Sequence, residues 1–364
     1  MAPRDGDDPG VRRKVSQADV ARHAGVSAGI VSSVINSRDY GSIRVSDTTR
    51  DRVWRSIRDL GYVPNIAARN LAGGSNQLIG VFTYLPLFPL ESRDFYHEFL
   101  VGIEEGAEES GYNLLLVTGA KDADRQRSIY AGGVNNLQLA DGSILLGTNE
   151  VSQEVGRLAE ERYPFVFVGQ REVPGHELSY VKGDYEQGTL DIVRAIVGHG
   201  HRRIAMTLRS GSTEPLPGRR AGFRTARDQL GLGEQNAPVV VVGSGPSDGL
   251  EPDLPDVAAV IAWARAEQIT AIIAEDSAQA AELRVTAEQA GLRVPDDLSL
   301  VGLSGAPELP GVSDLTELLI PRREMGRESV RLLLRLLSRE SAPPLRTTLT
   351  CGLRPGVTLG PAPS

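Results

Sequence analysis

The stretch Gly25-Val26-Ser27-Ala28-Gly29 spells G-x-S-x-G, the pattern that exposes a nucleophilic serine on a tight turn between a strand and a helix. That chemistry needs a hydrophobic strand before the serine. ADVARHA stands there instead, an Ala-rich helical segment, so the hydrolase reading fails on context. Gly243 and Gly245 follow an apolar run as a dinucleotide-binding loop would, but Pro246 interrupts the pattern and no helix begins at once, which favours a surface loop. His23, His97, His176, His199 and His201 are scattered without metal-ligand spacing, and most are expected in solvent. The single cysteine, Cys351, excludes an internal disulfide and a cysteine-rich zinc site, and is expected as a buried, inert thiol. No acid–base pair of catalytic character stands out. The sequence therefore predicts no catalytic residue, no metal and no cofactor.

Ser27 has a second use, as the N-cap of a helix running through Asn36. Ser16 with Asp19 makes an S-x-x-D start signal for a preceding helix to Ala24, and Gly25 breaks it. After the loop SRDYGSIRV, Ser46 is the expected N-cap of a third helix that ends at Gly61, with Val53, Ile57 and Leu60 on one face. Three short helices in so little chain can share one small core. Trp54 and Trp263 are both placed on apolar helix faces and expected in cores. Pro64 starts a segment in which Asn65 to Ala72 are helix-compatible and which Gly73-Gly74 end; it is too short to be stable alone, hence a linker that is helical only when held.

Charge divides the chain in the same place. The 364 residues carry a net −8, yet residues 1–76 have 12 Lys and Arg against 8 Asp and no Glu. A basic module on an acidic body is what this implies, and the module is where phosphates would bind. No apolar run approaches the roughly 18 residues of a membrane span. Residues 1–14 have charge but no apolar segment, so they read as a disordered arm and not a secretory signal, and the expected location is cytoplasmic.

From Leu78 the texture alternates between strands (LIGVFT, YNLLLV, GSILLG, FVFVG, RIAMTL, PVVVVG, TAIIAE, LSLVGL) and helical stretches. That pattern means parallel sheets with helices on both faces. Nearly 290 residues is generous for one sheet, so two are expected with a cleft between them, ligands sitting beyond the carboxyl ends of the strands.

VSQADVARHAGVSAGIVSSVIN, RVSDTTRDRVWRSIRDLGYVPN and AARNLAGGSNQLIGV resemble the DNA-binding domain and hinge of the LacI/GalR family of bacterial transcription regulators. GHGHRRIAM, GRRAGF, GLRVPDDLSLVGL and REMGRESVRLLLRLL extend the resemblance over nearly the whole chain after residue 14. It implies an N-terminal all-α helix-turn-helix domain (15–62), a hinge helix and linker (63–76), and an α/β periplasmic-binding-protein-like body (77–364). The body would comprise two discontinuous Rossmann-like subdomains joined by three crossovers, an N-subdomain of about 77–177 and 314–340 and a C-subdomain of about 178–313 and 341–360. A homodimer on palindromic double-stranded operator DNA, with a small-molecule effector controlling affinity, is the implied assembly.

By resemblance, Ser16, Ser27, Ala28, Gly29, Ile30, Ser32, Ser33, Asn36 and Tyr62 contact DNA, with Ala28, Gly29 and Ser33 facing bases. The family often has a large polar or aromatic residue near Ala28 and Gly29, and usually Arg where Ser33 stands. Ala and Gly make no bidentate hydrogen bond to a base, so the operator sequence does not carry over. Arg38 or Arg44 in the longer loop supplies the missing contacts, or the loop is simply solvated. In the hinge, Leu71 matches the family's minor-groove leucine, with Asn65 and Ala68 facing the same groove; the alternative is that Leu71 anchors the linker on the body.

The resemblance also implies an effector, usually a sugar or sugar phosphate, in the cleft, with Phe95 and Tyr96 on one side and Asp184, Gln187, Arg219, Glu275 and Ser304 on the other. Glu275 stands where Asn is frequent and Ser304 where Asp is frequent. Otherwise Asp184 and Glu275 are strand-end residues facing water. A ligand-binding protein of periplasmic type shares such a body; its signal peptide is missing here and the helix-turn-helix is present, which favours a ligand-responsive repressor.

Overall fold

The computed structural model describes residues 15–36, 45–63, 75–84, 96–119, 127–147, 152–210, 216–243, 252–304, 314–338 and 343–363. Two compact units are present, Met1–Asn76 and Gln77–Ser364.

In the first unit, α1 (Gln17–Ala24), α2 (Ala28–Asn36) and α3 (Asp47–Leu60) begin and end where the sequence predicts. The Ser16 hydroxyl donates to Asp19 at 2.6 Å and accepts from the Asp19 amide at 3.3 Å, while Asp19 also accepts from the Ser16 amide at 3.0 Å. Such a reciprocal box satisfies N–H groups that α1 cannot pair internally. Gly25 and Gly61 close α1 and α3 at φ 62° and 61°, the left-handed region that glycine enters without a Cβ penalty. Val20, Ala21, Ala24, Val31, Val34, Val53 and Ile57 form the small core. Trp54 departs from expectation. It is 38% exposed because the buried stripe of α3 passes through Val53, Ser56 and Ile57, leaving position 54 off its edge.

The second unit is built on two sheets. In chain order its elements are β1 (Leu78–Thr83), α4 (His97–Glu109), β2 (Asn113–Leu116), β3 (Gly142–Leu146), α5 (Ser152–Glu160), β4 (Phe165–Val168) and β5 (Tyr180–Gly183). Then follow α6 (Tyr185–Gly198), β6 (Ile204–Arg209), α7 (Leu216–Gln229), β7 (Val239–Val242), β8 (Asp253–Leu254), α8 (Val257–Ala266), β9 (Ala271–Ala274), α9 (Ser277–Gln289) and β10 (Ser299–Gly302). β11 (Thr316–Leu319), α10 (Arg322–Ser338), β12 (Arg346–Leu349) and β13 (Gly352–Arg354) complete the unit.

The first sheet runs β12-β5-β4-β3-β1-β2, all parallel. The second runs β13-β11-β10-β9-β6-β7-β8, parallel except where β13 pairs antiparallel with β11. Buried runs such as Val239–Val242 and Ala271–Ala274 show no alternation because helices cover both faces.

The sheets relocate the subdomain boundaries. β5 and β12 belong to the first sheet and β11 to the second, so the chain crosses at Asp184, at Pro321 and at Thr350–Cys351. The boundaries expected near 177, 313 and 340 each precede a short strand that completes the sheet the chain is about to leave. YVKG, TELL and RTTL are short and mix polar with apolar residues, which conceals them in the sequence.

Helix α10 returns to the first subdomain and packs on α4 across Gly102, Gly106 and Gly326. A Cβ on Gly102 would collide with the Arg323 carbonyl, and one on Gly326 with the Phe99 carbonyl, so the helices meet nearly backbone to backbone. Glu105 straps the seam by pairing with Arg323 and with Arg327 at 2.8 Å.

Candidate functional sites: a helical reading head and an inter-sheet cleft

In the head, Ser27, Ala28 and Gly29 are exposed at the start of α2, with the Ser27 hydroxyl accepting from the Ile30 amide at 3.3 Å. A helix end of this kind can offer N–H groups to phosphates and side chains to base edges. Ser33 does not join them. It is 6% exposed, one residue before the core valine Val34, so its hydroxyl is withheld from any base. Ile30 and Tyr62 pack against the head's core, Ser32 is half-buried, and Ser16 is committed to its capping box. Asn36 is the last residue of α2.

Exposed guanidinium groups on α1 and α3, at Arg22, Arg50, Arg52, Arg55 and Arg58, supply positive charge suited to phosphates. The basic balance of the head was their signal. His23 bridges α1 to α3 through Ser56 at 3.0 Å. Asn65, Ala68, Leu71, Arg38 and Arg44 lie outside the described residues.

In the body, a cavity of about 620 Å³ opens at the carboxyl ends of β3, β4 and β5, where Gly147, Gly169 and Asp184 line it. Tyr96, Phe99 and Met325 give it apolar walls; Tyr185 and Gly218, from the N-terminal ends of α6 and α7, bound it on the other subdomain. Its location agrees with the rule for open α/β sheets, and its volume lies within the range of small-molecule sites.

Of the residues expected there, Tyr96 and Asp184 line the cavity. Tyr96 is 3% exposed, and burial raises its phenol above the ordinary range. Asp184 caps α6, accepting from the Gln187 amide at 3.1 Å. Gln187 is exposed and donates along the helix surface to Asp191 at 2.9 Å, so it does not face the cleft. Being the third residue of α6, it contributes its backbone to the cap while its side chain turns outward.

Arg219, Glu275 and Ser304 build a layer that does not line the cavity. Arg219 is 4% exposed, donates to the Leu303 carbonyl at 3.0 Å, and holds its guanidinium 5.6 Å from the centre of the Tyr185 ring. Burial pushes that guanidinium below its usual value. Glu275 is buried, accepting from the Arg209 amide at 2.6 Å, so it is not a strand-end residue facing water. The Ser304 carbonyl accepts from the Ser277 amide at 3.0 Å, and the Ser277 hydroxyl donates to buried Glu317 at 2.6 Å. Phe95 lies outside the described residues.

The sequence reading missed Gln170, Arg171, Lys182 and Tyr185, which do line the cavity. Lys182 carried a faint signal, as one of three lysines in a chain with 39 Lys and Arg. Of the histidines, His201 is not in solvent. It is fully buried between the Thr270 hydroxyl at 2.9 Å and the Gly360 carbonyl at 3.0 Å, and burial lowers its pKa. Cys351 is buried at the third crossover, which raises its thiol to about 11. Among the described residues no cluster of His, Cys, Asp and Glu could hold a metal, and no helix is long and apolar enough to cross a membrane.

Residues 17–65 match the bacterial regulatory proteins of the lacI family, and residues 193–359 match a periplasmic binding protein-like domain. The HTH-type transcriptional regulator CelR of Thermobifida fusca is 32% identical over 93% of this chain and 96% of its own length. The chain belongs to the lacI family. Catabolite control protein A of Priestia megaterium is 30% identical over 89% of this chain and 92% of its own. Among solved structures, a CelR–cellobiose complex is similar with a TM-score of 0.62 at 26% identity, covering 95% of this chain and 100% of that one. The lac repressor dimer bound to operator and an anti-inducer shares the fold, with a TM-score of 0.69 at 23% identity over 96% of this chain and 100% of that one. Membership settles the class: this is a DNA-binding transcription regulator and not an enzyme, and the helix-turn-helix and two-subdomain body are the family's parts.

Proposed function

We propose that the chain is an effector-controlled repressor that acts as a homodimer on a palindromic operator, with a carbohydrate-class small molecule bound in the inter-sheet cleft. One observation carries the reading: a cavity of about 620 Å³ lined from both subdomains, its walls supplied by Tyr96, Phe99 and Tyr185 and its polar groups by Gln170, Lys182 and Asp184. Aromatic rings suit the C–H faces of a sugar, while carboxylate and amide groups suit its hydroxyls. The cellobiose held by the CelR structure supports this class of ligand.

Ligand bridging the two subdomains favours one arrangement of them, and operator affinity follows only if that arrangement differs from the DNA-competent one. The exposed Ser27–Gly29 end of α2 is the base-reading surface, and the hinge residues Asn65, Ala68 and Leu71 add minor-groove contacts. One such head covers too few base pairs for specificity alone, which is why two are needed.

Selection of bound fragments from random duplexes tests the assembly, and inverted repeats are the expected product. Recovery of single half-sites alone would remove the dimer. Leu71→Ala is expected to weaken operator binding by a few kcal/mol, the scale of one lost wedge step, and to leave effector binding unchanged. Unchanged bending and affinity in that variant would end the wedge role.

A further inference from the structure

The exposed start of α2 carries almost no side chain. Among the described residues of that helix, Ala28 and Gly29 are the exposed ones; Ile30, Ser32 and Ile35 are half-buried, and Val31, Ser33 and Val34 are buried. The Ser27 hydroxyl before them is held as the helix cap, accepting from the Ile30 amide. No Arg, Lys, Asp, Glu or Gln stands on α2 to form a paired hydrogen bond with a base. Its one Asn, Asn36, is the last residue, about two turns beyond Gly29.

Gly29 is not required by the head itself. An added Cβ would meet only the Ser27 hydroxyl oxygen, at an ordinary 3.7 Å, and no left-handed backbone calls for glycine there. Within a helix, glycine destabilises relative to alanine because it has more backbone freedom to lose. The bare surface therefore has its use outside the head. A helix lying in a major groove about 12 Å wide comes closer to the base edges where its side chains are absent. The C5-methyl of thymine is the apolar feature of those edges, and an alanine methyl is a fitting partner for it.

Resting on the reading of this end of α2 as the base-reading surface, we infer that Ala28 recognises thymine through its C5-methyl group in the major groove. Gly29 is the bare spot that lets the helix backbone approach closely enough for the two methyls to touch. The operator half-site thus holds a thymine under Ala28, read by apolar contact and not by a hydrogen bond.

The test uses the full-length protein and the operator selected from random duplexes. Each thymine of the half-site is replaced in turn by deoxyuridine, which removes the methyl and keeps the base pair. At one position affinity is expected to fall about 4-fold, the worth of one buried methyl group, and about 15-fold when both half-sites are changed. In Ala28→Gly the thymine and uracil operators should bind alike at that position, and the ratio of the two affinities cancels any general weakening of α2. Gly29→Leu is expected to lower affinity for both operators about 10-fold or more, within the range one mismatched base pair covers, by holding the helix off the groove. Hydrogen exchange of the α2 amides without DNA establishes that the head of each variant is folded. The inference is overturned if no uridine substitution weakens binding, or if the preference for thymine survives unchanged in Ala28→Gly. Gly29→Leu separates it from the reading it rests on. A Gly29→Leu protein that binds operator as the wild type does removes this end of α2 from the bases, and the methyl contact with it. Loss of operator by Gly29→Leu, with uracil tolerated at every position by the wild type, sinks the methyl contact alone.

Discussion

The reading head and the effector body treat the same residue in opposite ways. Gly29 in the head sits exposed near the start of α2, and an added Cβ would meet nothing closer than the Ser27 hydroxyl at 3.7 Å. Gly102 in the body lies in the seam between α4 and α10, where an added Cβ would run into the Arg323 carbonyl. One glycine leaves a surface open for a partner, and the other lets two backbones touch. The head is thus assembled from local signals and keeps its functional end bare, whereas the body depends on contacts between residues more than two hundred positions apart.

The sharpest way to break that contrast is to make one substitution in both places. Gly102→Ala should destabilise the body by about 2–3 kcal/mol, as overpacking a tight interface does. The check is a urea melt followed by Trp263 in a Trp54→Phe background. A variant as stable as the parent would mean that the seam tolerates separation. Gly29→Ala should act in the other direction, stabilising α2 by about 0.5–1 kcal/mol because alanine loses less backbone freedom in a helix. Slower hydrogen exchange of α2 amides in the full chain is the expected readout, and faster exchange would show that Gly29 relieves a strain not visible in its dihedral environment.

The smallest effect belongs to the body. His201 is buried neutral, with its folded pKa depressed below the ordinary 6.5, so the unfolded chain takes up a proton that the folded one refuses. Stability is therefore fully present above about pH 6.5 and declines as the pH falls below it. Melting temperatures between pH 7.5 and 5.5 should show this slope, and His201→Gln should flatten it. An unchanged slope in that variant would assign the dependence to other groups.

The contrast also explains what could be read in advance. Ser16, Ser27, Ser46, Gly25 and Gly61 act through neighbours three or four residues away, so the head's helices were legible to the residue. Sustained apolar runs made the central strands of the body equally plain. The crossover strands were not, because a strand such as YVKG is recognisable only through its partners, and β5 pairs with β12 far along the chain. The cleft was read only in part. Tyr96 and Asp184 adjoin recognisable helix starts, but Gln187 turns outward, and Lys182 and Arg171 become notable only once the structure places them at the cavity wall. Side-chain burial ran against expectation twice in the head: Ser33 is buried, and Trp54 is left at the surface.

The triple crossing has a consequence for the chain as it is made. β12 pairs with β5 in register Arg346 to Tyr180, and α10 covers the same sheet, yet both emerge from the ribosome only after the whole second sheet except its last strand. At about 5–20 residues per second, the edge of β5 waits roughly ten to thirty seconds for its partner. Throughout that interval an unpaired parallel edge is open to any other extended chain. The first subdomain to be synthesised is therefore not the first able to finish, and a nascent regulator of this topology has a window of vulnerability that its finished fold no longer displays.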